Sequence, residues 1–355
     1  MLYSELSNKK ELYISFHCEQ VYQDFDNYEK SSINNEYLGY FSTELEIETI
    51  ERVKKHLNNI DTSKINHIII DCDRVTESRN PNSEFSEIID IVNSKKLALS
   101  ILRIGVKLYN DLKLKHYKQK LGKSVIEDDT LIYTNFYINS KVKKRTKQFD
   151  NRIFKLYENI LKEKIKKNYL VKNKKGYSDS SNVYLPKYIN IKHFIEENKI
   201  TYFGLYLLCK KAINAKLIPE FNERKKSSKT KLFFQSINGA YLSSIISKIA
   251  LLDMAFIDHI GPINKIYKTI LKNNFNEQDS YLIVSDVICM GTETEIAKSL
   301  IYYENSKVRG NLTIVKVEPV LKEKNDNIQT CSLFTLTKEN NTEIQYEITT
   351  DFGKK

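Results

Sequence analysis

A carboxylate at the end of an apolar run, followed shortly by a glycine and two threonines, is an arrangement suited to a sugar phosphate. The stretch YLIVSDVICMGTETE, Tyr281 to Glu295, has that form. The Asp286 carboxylate can accept two hydrogen bonds from neighbouring ribose hydroxyls. Behind it, Cys289, Met290, Gly291, Thr292, Glu293 and Thr294 form a turn into a helix, whose free N–H groups and positive dipole end favour a phosphate. Gly291 allows close backbone approach, and Thr292 and Thr294 add hydroxyl donors. Two positions resist this reading. Ser285 stands where such a site usually carries a second acid, and Glu293 puts a carboxylate inside the presumed phosphate loop. A second short loop, SINGAY, offers Ser236, Asn238 and Gly239 to a further phosphate group, with Lys265 and Lys268 downstream as possible sources of positive charge.

These loops need strands and helices to hold them at one edge of a sheet. In the second half of the chain, KLFFQSI reads as a strand, NGAYLSSIISKIA as a helix, MAFIDHI and YLIVSD as strands, TETEIAKSLIYYEN as a helix and NLTIVKVEPV as a strand. CSLFTLTKENNTEIQYEITT alternates around a polar turn and predicts a closing β-hairpin. In the first half, ELYISFHCE, HIIIDC and LALSILRI alternate with the helices IETIERVKKHLNNI and EFSEIIDIV; Ile47, Ile50, Val53 and Leu57 fall at helical spacing. The expected fold class is therefore α/β, with two α/β domains over residues 1–140 and 177–355 and a basic connecting helix or linker over 141–176. Asp258 and His259, at the end of one predicted strand, read either as an acid/base pair or as a helix cap beside a partly buried imidazole. The second reading is favoured, because neighbouring strand residues point to opposite faces.

Composition narrows the classes. The 355 residues are 41% hydrophobic and 28% charged, the balance of an ordinary globular protein. No apolar run approaches the roughly 18 residues that span a bilayer, and the N-terminal segment lacks the order of a signal peptide, so a cytoplasmic, non-membrane protein is expected. The five cysteines are scattered without the close spacing of a zinc site or a disulfide framework. Asp71 and Asp73 alone make a weak metal motif. The net charge of +11 is concentrated in residues 141–176, which hold 14 Lys or Arg against 3 Asp or Glu. That stretch is either a solvated helix face or a surface for nucleic acid or a protein partner.

VSDVICMGTET resembles the signature of the type I phosphoribosyltransferases: an apolar strand, two adjacent acids, a short loop, then Gly-Thr and further hydroxyls. FFQSINGAYLSSIISKI is similar to that family's diphosphate loop, and LPKYINIKH to the stretch that builds the hood over the base in orotate-type enzymes. The resemblance covers residues 183 to 319 and implies a mostly parallel sheet flanked by helices. It implies binding of phosphoribosyl diphosphate with Mg2+ and transfer of the ribosyl group to a nitrogen nucleophile. Asp286 would be the catalytic residue that holds a ribose hydroxyl. Ser285 and the loop from Cys289 through Met290, Gly291, Thr292 and Glu293 to Thr294 would line the ribose and its 5′-phosphate. Ser236, Asn238, Gly239 and Lys265 would face the diphosphate. In the N-terminal half, IERVKKHLNNI, HIIIDCDRVTES and LALSILRI resemble STAS-like domains, in which a strand-end Asp precedes a regulatory Ser or Thr, here Thr76 or Ser78. The two-domain layout is also similar to phosphoribosyltransferase-like modules of bacterial conflict systems, including retron-linked anti-phage cassettes. Two functions follow as expectations: a phosphoribosyltransferase, or a catalytically degenerate nucleotide-sensing or nucleic-acid-associated protein, either of them able to form a homo-oligomer.

Overall fold

In the computed structural model, the described residues are 2–8, 10–17, 19–21, 40–42, 44–45, 47–73, 75, 77–78, 82–114, 121–128, 131–136, 146–165, 167, 170–172, 177–178, 181–184, 187–219, 229–256, 275–288, 291–317 and 328–336. The chain divides into two compact units. The first is Met1–Phe154 with two short later segments, and the second is the remainder.

The first unit is built on a six-stranded mixed sheet. Its strands are β1 (Leu2–Ser7), β2 (Glu11–His17), β3 (His67–Asp71), β4 (Ala98–Gly105), β5 (Leu121–Asp128) and β6 (Leu131–Phe136), in the order β1-β2-β3-β4-β6-β5. The β2–β3 and β3–β4 pairs are parallel, and the remaining pairs are antiparallel. Helices α1 (Ile47–Asn58) and α2 (Asn82–Ser94) bury Ile50, Val53, Leu57, Phe85, Ile88 and Val92 with Leu12, Ile14, Ile68, Ile70, Leu99 and Ile101 of the sheet. Ile47 has the right spacing for that stripe but is 42% exposed, because it is the first residue of its helix and precedes the packed turns.

The same strands carry buried polar side chains at the alternate positions. Glu11 accepts from the Tyr13 hydroxyl at 2.8 Å and pairs with Arg152 at 2.7 Å, and His67 bonds the Ser100 hydroxyl at 2.8 Å. Burial would push the Glu11 carboxyl up, but hydrogen bonds from His67 and Tyr13, the Arg152 charge and Asn8 outweigh it and hold the group at about 2. Asp71, the strand-end acid, is committed to a buried two-pronged pair with Arg103, and Asp73 donates its backbone N–H to the same carboxylate. The STAS-like resemblance finds no support here. Its acid is a structural anchor, and Thr76 lies outside the described residues.

Helix α3 (Thr146–Lys164) carries the described part of the basic stretch. Part of its charge is matched: Arg152 pairs with Glu11 and Lys164 with Glu197, and Lys167 beyond the helix pairs with Glu163. Within the second unit the helix packs on α4 (Asn198–Asn214). The contact centres on Gly204, where any Cβ would lie 2.2 Å from the Tyr157 hydroxyl oxygen. Tyr157 itself donates to the Ile200 carbonyl at 2.7 Å. Before α4, Asn190 caps a short helix (Ile191–Glu196) by accepting from the Lys192 N–H.

The sheet of the second unit holds β7 (Thr230–Phe234), β8 (Asp253–Phe256), β9 (Ser280–Ile288), β10 (Lys307–Val317) and β11 (Thr330–Leu336). Their order is β8-β7-β9-β10-β11 and every pairing is parallel. Tyr281, Leu282, Ile283 and Val284 are all buried, as a central strand covered on both faces requires. Tyr281 and Ile283 pack with Phe233, Ala255, and Ala297 and Ile301 of α6 (Thr292–Tyr303). Between β7 and β8 runs α5 (Ile237–Ala250). The first arm of the expected hairpin is β11, and its second arm lies outside the described residues. Among the described residues no helix is long and apolar enough to cross a membrane.

Candidate functional site

Numbered along the chain from β7, the strand order of the second sheet is 2-1-3-4-5. From β7 the chain turns one way to β8, and from β8 it crosses back to β9. Between β7 and β9 the direction of winding therefore reverses, and in open α/β sheets ligands bind outside the carboxyl ends of the strands at such a switch point. The two loops singled out in the sequence are the ones that leave β7 and β9.

Strand length shapes this place. The β7–β9 pairing ends at Phe233 opposite Ile283, whereas β9 continues through Ile288, paired with β10 as far as Lys316. Ser285 and Asp286 thus stand in the strand, not in a loop after it, and their segment has β10 on one side and the start of α5 on the other. The β10 side is tied further by Thr313, whose hydroxyl donates to the Asp286 carbonyl at 3.0 Å. On the α5 side, Asn238 donates its side-chain amide to Asp286 Oδ2 at 2.7 Å, and Oδ1 accepts from the Val287 N–H at 2.8 Å. The two sequence loops therefore meet at one carboxylate. Gly239 lies at the same edge: a Cβ there would sit 3.1 Å from the Val284 carbonyl oxygen and 3.2 Å from Ser236 Oγ. Ser285 Oγ is buried and has no hydrogen-bond partner among the described residues.

The two helix starts differ. Ser236 caps α5, its hydroxyl oxygen accepting from the Gly239 N–H at 3.0 Å, and its carbonyl accepts from Ala240 at 2.8 Å. Gly291 occupies the corresponding place before α6 in the left-handed region, φ 76° and ψ 3°, with no side chain to cap the helix. The first-turn N–H groups of α6 consequently have neither an intrahelical partner nor a cap from residue 291. Glu293 stands in that turn. Its carbonyl accepts from the Gln235 side chain at 3.3 Å, which ties the turn to the end of β7. Partial desolvation, and then the charge of Asp286, push the Glu293 carboxyl above its usual range although the residue keeps considerable exposure. Thr294 is buried, with 7% of its surface exposed, which leaves little of it for a ligand.

Of the residues proposed from sequence, Ser236, Asn238, Gly239, Ser285, Asp286, Gly291, Glu293 and Thr294 gather around this edge. Thr292 opens α6, but its side chain is outside the described residues, as are Cys289, Met290, Lys265, Lys268, Asp258, His259 and the first basic cluster Lys143, Lys144 and Arg145. Gln235 and Thr313 were not legible as site residues. Each is an ordinary polar residue whose role depends on a partner 58 or 27 positions away. Among the described residues no group of three His, Cys, Asp or Glu side chains converges as a metal site.

No protein-family model matches the chain, and no curated protein is similar to it at a significant level. Several solved structures are similar. Adenine phosphoribosyltransferase from Thermoanaerobacter pseudethanolicus matches with 13% identity and a TM-score of 0.33, over 42% of this chain and 88% of that one. Orotate phosphoribosyltransferase from Aeropyrum pernix matches with 12% identity and a TM-score of 0.35, over 49% and 93%. Adenine phosphoribosyltransferase from Leishmania donovani matches with 16% identity and a TM-score of 0.33, over 51% and 83%. Identities of this size bear on fold alone, and scores of this size leave the site to be judged by its own geometry.

Proposed function

We propose that the second unit is a phosphoribosyltransferase-like module that binds phosphoribosyl diphosphate or a nucleotide between β7 and β9. Asp286 accepts the ribose hydroxyls, and the uncapped first turn of α6 faces the 5′-phosphate. The observation that carries this reading is the overhang of β9. It sets Asp286 at a topological switch point, with Asn238 from the neighbouring loop already on its carboxylate. Each carboxylate oxygen here has one protein donor and a second acceptor direction for a hydroxyl.

In the catalytic form of this reading, magnesium accompanies the diphosphate and the ribosyl group passes to a nitrogen nucleophile. The protein would then steady charge on the departing diphosphate and on the ribosyl cation. The regulatory form is favoured by Ser285, whose hydroxyl brings no charge to that cation or to magnesium and leaves Asp286 as the only acid of the expected pair. Binding without transfer is the reading we adopt. The basic stretch remains the proposed surface for a nucleic-acid or protein partner, reduced by the pairing of Arg152 and Lys164.

Calorimetric titration of the full chain with phosphoribosyl diphosphate and magnesium, and with nucleoside monophosphates, tests this proposal alongside a diphosphate-release assay. Binding by the wild type, its loss in Asp286→Ala and no diphosphate release are the expected results. Release of diphosphate with any base would replace the regulatory form by the catalytic one. A folded wild type that binds no ribosyl compound would end the proposal.

A further inference from the structure

We infer that Asn238 reads the sugar of the ligand together with Asp286, which makes the site selective for a ribose with both neighbouring hydroxyls over either deoxy sugar. The inference rests on the proposed ribose site at Asp286 and names the second group of that site. In the resemblance drawn from sequence, that place belongs to an acid at position 285. Ser285 does not fill it. Successive strand residues point to opposite faces, so its side chain leaves the sheet on the side away from Asp286, and its Oγ is buried.

Asn238 comes to Asp286 from the neighbouring loop and is half-buried. One N–H of its amide donates to Asp286 Oδ2 at 2.7 Å, and the other has no partner among the described residues. The two N–H groups of a planar amide diverge by about 120°. An oxygen held by the second at ~2.9 Å therefore lies about 4.9 Å from Oδ2. One hydroxyl is too small to bond both groups. Two hydroxyls on neighbouring carbons, cis to one another and about one hydrogen-bond length apart, span that distance. One donates to Oδ2 and the other accepts from the amide.

Both groups are fixed before any ligand arrives. The Val287 N–H holds Oδ1 at 2.8 Å, so the carboxylate cannot turn freely. Asn238 stands in a first turn capped by Ser236, and Gly239 beside it approaches the Val284 carbonyl too closely for the loop to shift inward. Preorganised groups lose little freedom on binding, and a missing hydroxyl leaves one of them unpaired. The role assigned to Asn238 is thus contact with the sugar, in place of the diphosphate contact that its loop suggested.

The test is calorimetry on the full chain with adenosine 5′-monophosphate and its 2′-deoxy and 3′-deoxy forms. In the wild type, loss of the hydroxyl on the carboxylate should weaken binding at least about tenfold, and loss of the one on the amide about threefold to tenfold. In Asn238→Ala, adenosine 5′-monophosphate should bind no better than one of its deoxy forms, while the other stays weaker. A residue that only supports Asp286 would weaken all three nucleotides by one factor and leave their ratios unchanged. That result would overturn the inference. So would wild-type binding of either deoxy form as tightly as adenosine 5′-monophosphate, a comparison that needs no variant to fold. Both outcomes leave the ribose site standing, because its own readout is the loss of binding in Asp286→Ala. A folded wild type that binds none of the three nucleotides would overturn the inference, and one that also fails to bind phosphoribosyl diphosphate would overturn the proposed function with it.

Discussion

Two helices leave the same edge of one sheet, and they begin in opposite ways. Helix α5 is closed by its own chain: Ser236 caps Gly239, Asn238 is bound to Asp286, and Gly239 is packed against the Val284 carbonyl. Helix α6 starts from a left-handed glycine with no side-chain cap, and a Cβ on that glycine would meet nothing within 4 Å. Each is a short loop at a helix start, the feature that makes a phosphate site plausible in a sequence. The first has one first-turn N–H taken by a side-chain cap, whereas the second has no cap from residue 291. A helix terminus is thus a ligand site only to the extent that the chain leaves its donors unused.

Substitutions at the two glycines sharpen this contrast. Gly239→Leu should cost the most, about 1–3 kcal/mol of stability, because the new side chain must enter space held by Phe234 and the Val284 carbonyl. Denaturant unfolding measures that cost, and an unchanged midpoint would mean the close approach is not real. Gly291→Ala should cost less, about 1–2 kcal/mol, all of it from the left-handed backbone, since the site has room for the methyl group. It should also weaken nucleotide binding, as the turn facing the phosphate shifts. Ser236→Ala should remove about 1 kcal/mol of helix capping and leave nucleotide affinity within about twofold. If Ser236→Ala weakened binding more than Gly291→Ala, the assignment of closed and open ends would be reversed.

The smallest effect concerns pH. The Glu293 carboxyl is raised above its usual range by desolvation and by Asp286. The folded protein therefore holds that proton more tightly than the unfolded chain does. The resulting penalty is absent below the unfolded value and present in full above the folded one, so stability falls as pH rises through that window. Glu293→Gln should flatten this part of the stability–pH curve and make nucleotide binding less sensitive to pH. A curve with the same slope in wild type and variant would place the titration elsewhere.

The legible and illegible parts of this molecule separate by sequence distance. The run Tyr281 to Val284 announces a buried strand because all four residues are apolar, and Ile50, Val53 and Leu57 announce one helix face; both features are local. The strand through Ser285 and Asp286 was legible, but its continuation through Val287 and Ile288 was not, since that depends on pairing with β10 and not on the polarity of those residues. The same holds for the bond from Asn238 to Asp286, which links residues 48 positions apart and exists only because the strand order puts β7 beside β9. In the first unit, Asp71 read as a candidate ligand because its partner Arg103 is 32 residues away on the adjacent strand. Types and local spacing indicated which residues could act, and topology decided which of them were already engaged.

Hydrogen exchange of the full chain with and without adenosine 5′-monophosphate measures the contrast between the two helix starts most directly. Backbone amides that receive a phosphate exchange more slowly, and those already bonded within the protein change less. Protection should be concentrated in residues 291 to 294, ahead of the Glu295 N–H that already bonds the Gly291 carbonyl, and be smaller in residues 236 to 240. Equal or greater protection at 236 to 240 would contradict the account, because the loop after β7 would then be the one that opens to receive the ligand.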